Sequence, residues 1–190
     1  AHMLPGDYEA NLKRFDPELA KVWPLPDVQL ITSVEDQETA DLRIPQILRC
    51  PAAVHGISAE PLLGPLDIGA HVPPAYNRSW CEQHGHEPDE DCGPARTCVR
   101  CGRDFDRAYL DWVIVGGESG PRARPCDVAW IRSIVQQCKA AGVACFVKQL
   151  GARPVPDGMF DRGAMEAMRD RKGGDPDEWP EDLRVREFPE

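Results

Sequence analysis

The stretch Val113–Gly120, VIVGGESG, sets the frame for the whole chain. Val-Ile-Val is β-branched and too short for a helix, which suits a buried strand. It then runs into Gly116, Gly117 and Glu118, a poor choice if the only task were to fill a core. The glycines leave room at the strand end, and the glutamate brings a carboxylate to it. Downstream, Val128, Ile131, Ile134, Val135, Cys138 and Ala141 recur at i, i+3, i+4 spacing, the pattern of a helix that buries one face. Asp127 is placed to cap its start and Gly142 to stop it. A further β-rich run, Ala144–Val147 (ACFV), follows. Strand, helix and strand in this order predict a βαβ unit with parallel strands.

Two earlier runs extend the sheet: Val28–Val34 (VQLITSV) and Val54–Ala59 (VHGISA). About four parallel strands are therefore expected. A helix after Asp36 would turn Ala40, Ile44, Ile47 and Leu48 inward, with Pro45 kinking or splitting it. Another helix is expected over Tyr8–Lys21 through Leu12, Phe15 and Leu19, despite Pro17. Residues 151–190 are rich in Gly and Pro with little periodicity, and read as a tail packed through Trp179, Leu183, Val185 and Phe188.

Three strands share one ending. ITSVE closes at Glu35, GISAE at Glu60 and IVGGE at Glu118, while the fourth strand ends at Lys148-Gln149. In parallel α/β architecture the carboxyl edge of the sheet is where ligands bind. Three carboxylates facing an ammonium make a polar site there. The structural alternative is that each glutamate only starts a loop or serves a helix N-terminus, as Glu35 could beside Asp36. Arg122 and Arg124 in GGESGPRARP could meet an anion or pair with the glutamates. The glycines do not spell the G-x-G-x-x-G fingerprint of dinucleotide binding.

Composition bounds the classes. A length of 190 residues fits one domain, or one domain with an inserted module. Charged residues make up 28% and no apolar run approaches the ~20 residues that span a bilayer. Ala1-His2-Met3 has the look of a cloning scar, and the first residues show no signal-peptide pattern. A net charge of −10 disfavours nucleic acid, whose phosphates need clustered Lys and Arg. Eight cysteines without a secretion signal suit a reducing, cytoplasmic setting, where clustered thiols more often hold metal than form disulfides.

Six soft ligands lie between the second and third strands: Cys81, His84, His86, Cys92, Cys98 and Cys101. Cys98-x-x-Cys101 is half of a zinc knuckle, and a tetrahedral site needs two more ligands. Cys81, Cys92, Cys98 and Cys101 are the first choice, with His84 and His86 as alternates. Residues 78–107 are too polar to fold on a core of their own, so a structural Zn2+ would supply the folding energy. A redox Cys-x-x-Cys is the rival. Cys50, Cys126, Cys138 and Cys145 read as small apolar residues.

WPLPDVQLITSVEDQETADLRIP, AAVHGISAEPLLGPLDI, LDWVIVGGESGPRARPCDVAWIRSIVQQCKAAGVACFVKQLG and KGGDPDEWPEDLRVREFP resemble the later part of a phage and prophage family of uncharacterised activity, the three-Cys-motif or radical-SAM-like family. The resemblance implies a partial (β/α) barrel over residues 4–190, the C-terminal half of a complete one, in a bacterial host during phage infection or prophage carriage. It also implies that Ser33, Glu35, Ser58, Glu60, Glu118, Ser119 and Lys148 face a ligand site. Family members carry an earlier half with a cysteine triad, which implies an iron–sulfur cluster and S-adenosylmethionine chemistry. No such triad occurs in these 190 residues, so neither cofactor is expected in this chain alone. The expected role is a zinc-stabilised module for ligand or protein interaction. A homodimer, or a phage or host protein partner, would cover the open sheet. The alternative is a metal- or S-adenosylmethionine-dependent enzyme completed by a partner chain or second copy.

Overall fold

The computed structural model describes residues 24–73 and 108–189, together with Arg14 and Asp16. The elements run β1 (Gln29–Ser33), α1 (Gln37–Ile47), β2 (Val54–Ala59), β3 (Trp112–Gly116), β4 (Cys126–Asp127), α2 (Val128–Ala141), β5 (Ala144–Gln149), β6 (Pro154–Val155) and α3 (Arg162–Glu166). β1, β2, β3 and β5 form one sheet in that spatial order, every pair parallel. The expected strands and βαβ unit are thus present, and the fold is mixed α/β. Among the described residues the sheet is open and does not close into a barrel. The Tyr8–Lys21 helix, apart from Arg14 and Asp16, and the 78–107 cysteine module lie outside the described residues.

Each element has a local cause. The Asp127 side chain accepts from Ala129 N, and Gly142 ends α2 at φ 69°, a left-handed conformation that costs glycine little. Asp36 starts α1 through a capping box with Thr39. Pro45 does not split α1 in two; it lies inside a single helix, near its C-terminal end at Ile47.

The core lies between one sheet face and the helices. Ile57, Val113 and Cys145 share a register, as do Ala59, Val115 and Val147, and all are buried. Val128, Ile131, Ile134, Val135 and Cys138 of α2 join the same core. A fully buried Val or Ile contributes about 1.5–3 kcal/mol over leaving it in water. α1 buries only Ala40 and Ile44, so the β3–α2–β5 unit is held more strongly than the β1 end.

The tail does more than pack. Trp179 and Leu183 are buried and Val185 lies against the core, as expected. Phe188 packs as well, on the rings of Trp112 and Phe146 at centroid distances of 5.5 and 5.4 Å, while remaining 65% exposed. Phe146 bridges Arg186 antiparallel, Val147 N donates to Val185 O and Glu187 N to Cys145 O. The chain's own tail therefore covers the outer edge of β5. Buried Arg132 of α2 pairs with Asp157 and Asp182, fastening the segment after β5 to the helix. β4 and β6 add a small parallel pair that the sequence did not suggest.

Candidate functional site

Parallel strands place all their carboxyl ends on one edge, so Glu35, Glu60, Glu118 and Lys148 gather there by topology. The side chains do not form three acids around a single ammonium. Each glutamate has its own cation: Arg43 Nη1 lies 3.0 Å from Glu35 Oε2, Lys148 Nζ 3.1 Å from Glu60 Oε2, and Arg124 Nε 2.7 Å from Glu118 Oε2. Arg124 is one of the two arginines that the loop sequence offers for this role. Arg43 is not legible in the same way, because its link to Glu35 depends on α1 folding back across the end of β1. The spacing of eight residues from Glu35 to Arg43 in a strand-to-helix turn is the available signal.

The glycines of the opening stretch now have a physical explanation. Neither Gly116 nor Gly117 has a positive φ; both are needed for close approach. A Cβ on Gly117 would lie 2.4 Å from Leu150 O and 2.9 Å from Gly151 Cα, so this strand end and the loop after β5 meet backbone to backbone. A Cβ on Gly116 would lie 2.8 Å from Glu60 Oε1 and 3.0 Å from Gln149 O. Gly116 thus leaves a gap over β3 through which Lys148 of β5 reaches Glu60, which follows β2. The register helps: Val115 pairs with Val147, but Gly116 pairs with Gln149, leaving Lys148 as the extra residue of a bulge. Bulges re-aim a side chain at the rim of a sheet.

Around these pairs the loops are tied down. Leu62 N donates to Gly116 O, Leu63 N to Glu35 O and Ala152 N to Glu118 O. Glu60 is followed by a cis peptide to Pro61. Gln149 Nε2 donates to Gly117 O at 2.8 Å. Ser58 Oγ donates to Glu60 Oε2 at 3.2 Å, so the hydroxyl and the ammonium share one carboxylate oxygen. Ser33 is exposed on the open face of the sheet, in register with Ser58, Ile114 and Phe146. Ser119 and Arg122 are exposed in the loop after β3.

Hydrogen bonds from the Arg124 side chain, then from its backbone N–H, hold the Glu118 carboxyl below the ordinary carboxylate value. The same pairing raises Arg124, with Glu35 adding a smaller pull. Burial pushes the Cys126 thiol up to about 12, and Cys138 is raised by its contact with Cys145 and by burial. These buried thiols are inert core residues, as expected.

The candidate zinc ligands Cys81, Cys92, Cys98 and Cys101, with His84 and His86, lie outside the described residues. Among the described residues no His, Cys, Asp or Glu cluster is placed to hold a metal, and no helix is long and apolar enough to cross a membrane. The described residues flanking the excursion are tied together, Leu110 N donating to His71 O at 2.9 Å. The chain therefore leaves and returns at neighbouring points, which suits an insertion.

No curated protein and no solved structure matches the sequence. The family described as protein of unknown function (DUF5131) matches residues 5–180. With nearly the whole chain matched, and with the sheet and its strand-end loops inside the match, the chain belongs to the DUF5131 family.

Proposed function

We propose that this chain is part of a (β/α) barrel of a phage-type, radical-SAM-like protein, and that it works as a zinc-stabilised module binding a ligand or protein partner in the cytoplasm. The charge pairing at the strand-end edge carries the proposal. General acid–base catalysis needs a group whose pKa lies near the working pH. Glu118 is instead held ionised by Arg124, and Glu35 and Glu60 each lie against a cation. Such an edge offers fixed, oriented charges suited to recognition. Barrel ancestry is supported by the winding: β1, β2, β3 and β5 follow chain order without the reversal that marks a doubly wound sheet. The zinc is proposed on Cys81, Cys92, Cys98 and Cys101, with His84 and His86 as alternates, from their spacing.

A second reading keeps the chemistry. The open sheet face carries Ser58, Glu60 and Lys148 in one hydrogen-bonded group. With a cluster-bearing partner chain this group could line a metal- or S-adenosylmethionine-dependent site. Anaerobic reconstitution with iron and sulfide, followed by S-adenosylmethionine and a reductant, separates the two. A binding module keeps its zinc and makes no deoxyadenosine. Deoxyadenosine formed by this chain alone would overturn the proposal.

A further inference from the structure

Lys148 is held from the tail as well as by Glu60. Cys145 and Val147 turn backbone groups to the tail, Cys145 O accepting from Glu187 N and Val147 N donating to Val185 O. A regular strand alternates, so Lys148 would turn its carbonyl back toward β3. The bulge breaks that alternation, and Lys148 O instead accepts from Arg186 Nη2 at 3.4 Å. The same nitrogen donates to Gly174 O at 3.2 Å. The guanidinium is itself fixed, with its Cζ 5.3 Å from the ring centroid of Phe146 and 5.5 Å from that of Trp179, inside the ~6 Å reach of a cation over an aromatic face. Trp179 is buried, and its Nε1 donates at 3.0 Å to Gly173 O, which also accepts from Leu150 N. Arg186 therefore joins the bulge to a well-anchored part of the tail.

We infer that Arg186 is a positioning residue for the strand-end charges: by holding the Lys148 carbonyl it keeps that lysine in the bulge and its ammonium on Glu60. The reach is demanding. Lys148 of β5 crosses Gly116 of β3 to a carboxylate that follows β2, so a small rotation of the Lys148 backbone carries Nζ out of contact. A lysine ammonium has three donors. Glu60 takes one of them, and the side chain stays 57% exposed, which leaves donors for an acceptor group of a bound ligand. The direction in which they point is set by a tail residue far along the chain from the bulge, through Arg186, and not by the sheet alone. The inference rests on the recognition reading above and adds to it the residue that orients its lysine.

The test is acetylation of the whole chain by a limiting amount of acetyl N-hydroxysuccinimide ester, read by peptide mass spectrometry. A lysine held in an ion pair acylates more slowly than a free one, and exposed Lys139 of α2 serves as the internal reference. The variants are Arg186→Met, which keeps an apolar stem over the two rings and removes the donors, Glu60→Gln, and the two together. Each single change should raise the Lys148-to-Lys139 labelling ratio roughly two- to fivefold, the equivalent of releasing a partly exposed ion pair, with far-ultraviolet circular dichroism unchanged. The double variant should match Glu60→Gln alone, because both changes release the same contact. If Arg186→Met misfolds, Arg186→Gln decides by the same ratio. A parent-like ratio in the Arg186 variant, or an additive rise in the double, overturns the positioning role; where Glu60→Gln still raises the ratio, the charge pairing and the recognition reading stand. A parent-like ratio in Glu60→Gln as well overturns the Lys148–Glu60 pair itself and takes that support from the recognition reading.

Discussion

Substituting alanine at each glycine of the opening stretch should give two unequal losses of stability. At Gly117 the new methyl would lie 2.4 Å from Leu150 O, 2.9 Å from Gly151 Cα and 3.0 Å from Leu150 C, all backbone atoms. Optimal carbon contacts are about 3.5–4.0 Å, so the loop after β5 must move by roughly 1 Å. Overpacking of this kind costs ~1–3 kcal/mol. Backbone contacts this short take the upper end of that range, and with ~0.4–1 kcal/mol returned by the lost freedom of the unfolded chain the net loss for Gly117→Ala is about 2 kcal/mol. At Gly116 the nearest atom is Glu60 Oε1 at 2.8 Å, the end of a side chain that can swing away. The loss there is mainly the Glu60–Lys148 pair, whose lysine side chain is 57% exposed, and such pairs are worth ~0–1 kcal/mol. Gly116→Ala should therefore be near neutral, within about 1 kcal/mol. Urea titration followed by circular dichroism reads both. Thermal melts should place Gly117→Ala about 4–8 °C below the parent, at ~2–4 °C per kcal/mol for a chain of this size. A Gly117→Ala variant as stable as the parent, or a larger loss at Gly116, would refute the close-approach explanation of the glycine pair.

Arg132→Met should cost ~3–5 kcal/mol by leaving the buried Asp157 carboxylate without its cation, and adding Asp157→Asn should recover part of it in the same urea titration. Glu118 is depressed in the folded chain, so its contribution to stability is present above the ordinary value of 4.5 and lost as pH falls through the folded value. Arg124→Gln should move the Glu118 titration, followed by carbon NMR, up toward that ordinary value; an unmoved titration would show that Arg124 is not the cause. Cys98→Ser should release zinc and expose residues 80–106 to proteolysis before the sheet; an unchanged metal content would remove Cys98 from the ligand set.

The local pattern made α2 and the strands legible because each carries its own signal. Asp127, the i, i+3, i+4 apolar face and Gly142 define a helix without any distant contact. β2 matches its expected bounds, and β1, β3 and β5 differ by one or two residues at their ends. The gathering of the glutamates followed from parallel strands alone. Their cations did not: Arg43–Glu35 needs the α1 fold-back, and Lys148–Glu60 needs both a bulge and a glycine gap over β3. Arg132 was illegible for the same reason, since its partners Asp157 and Asp182 come from irregular chain without periodicity. Phe188 was legible as a packing residue but its partners were not, since Trp112 and Phe146 come from two different strands.

Native mass spectrometry of the purified chain, sprayed from a volatile buffer without added metal, tests the central claim of a zinc-stabilised interaction module most directly, because chain number and bound metal are read from one spectrum. The expected result is a folded chain carrying about one zinc, with the zinc lost in Cys98→Ser. A single chain without metal, still folded, would contradict it.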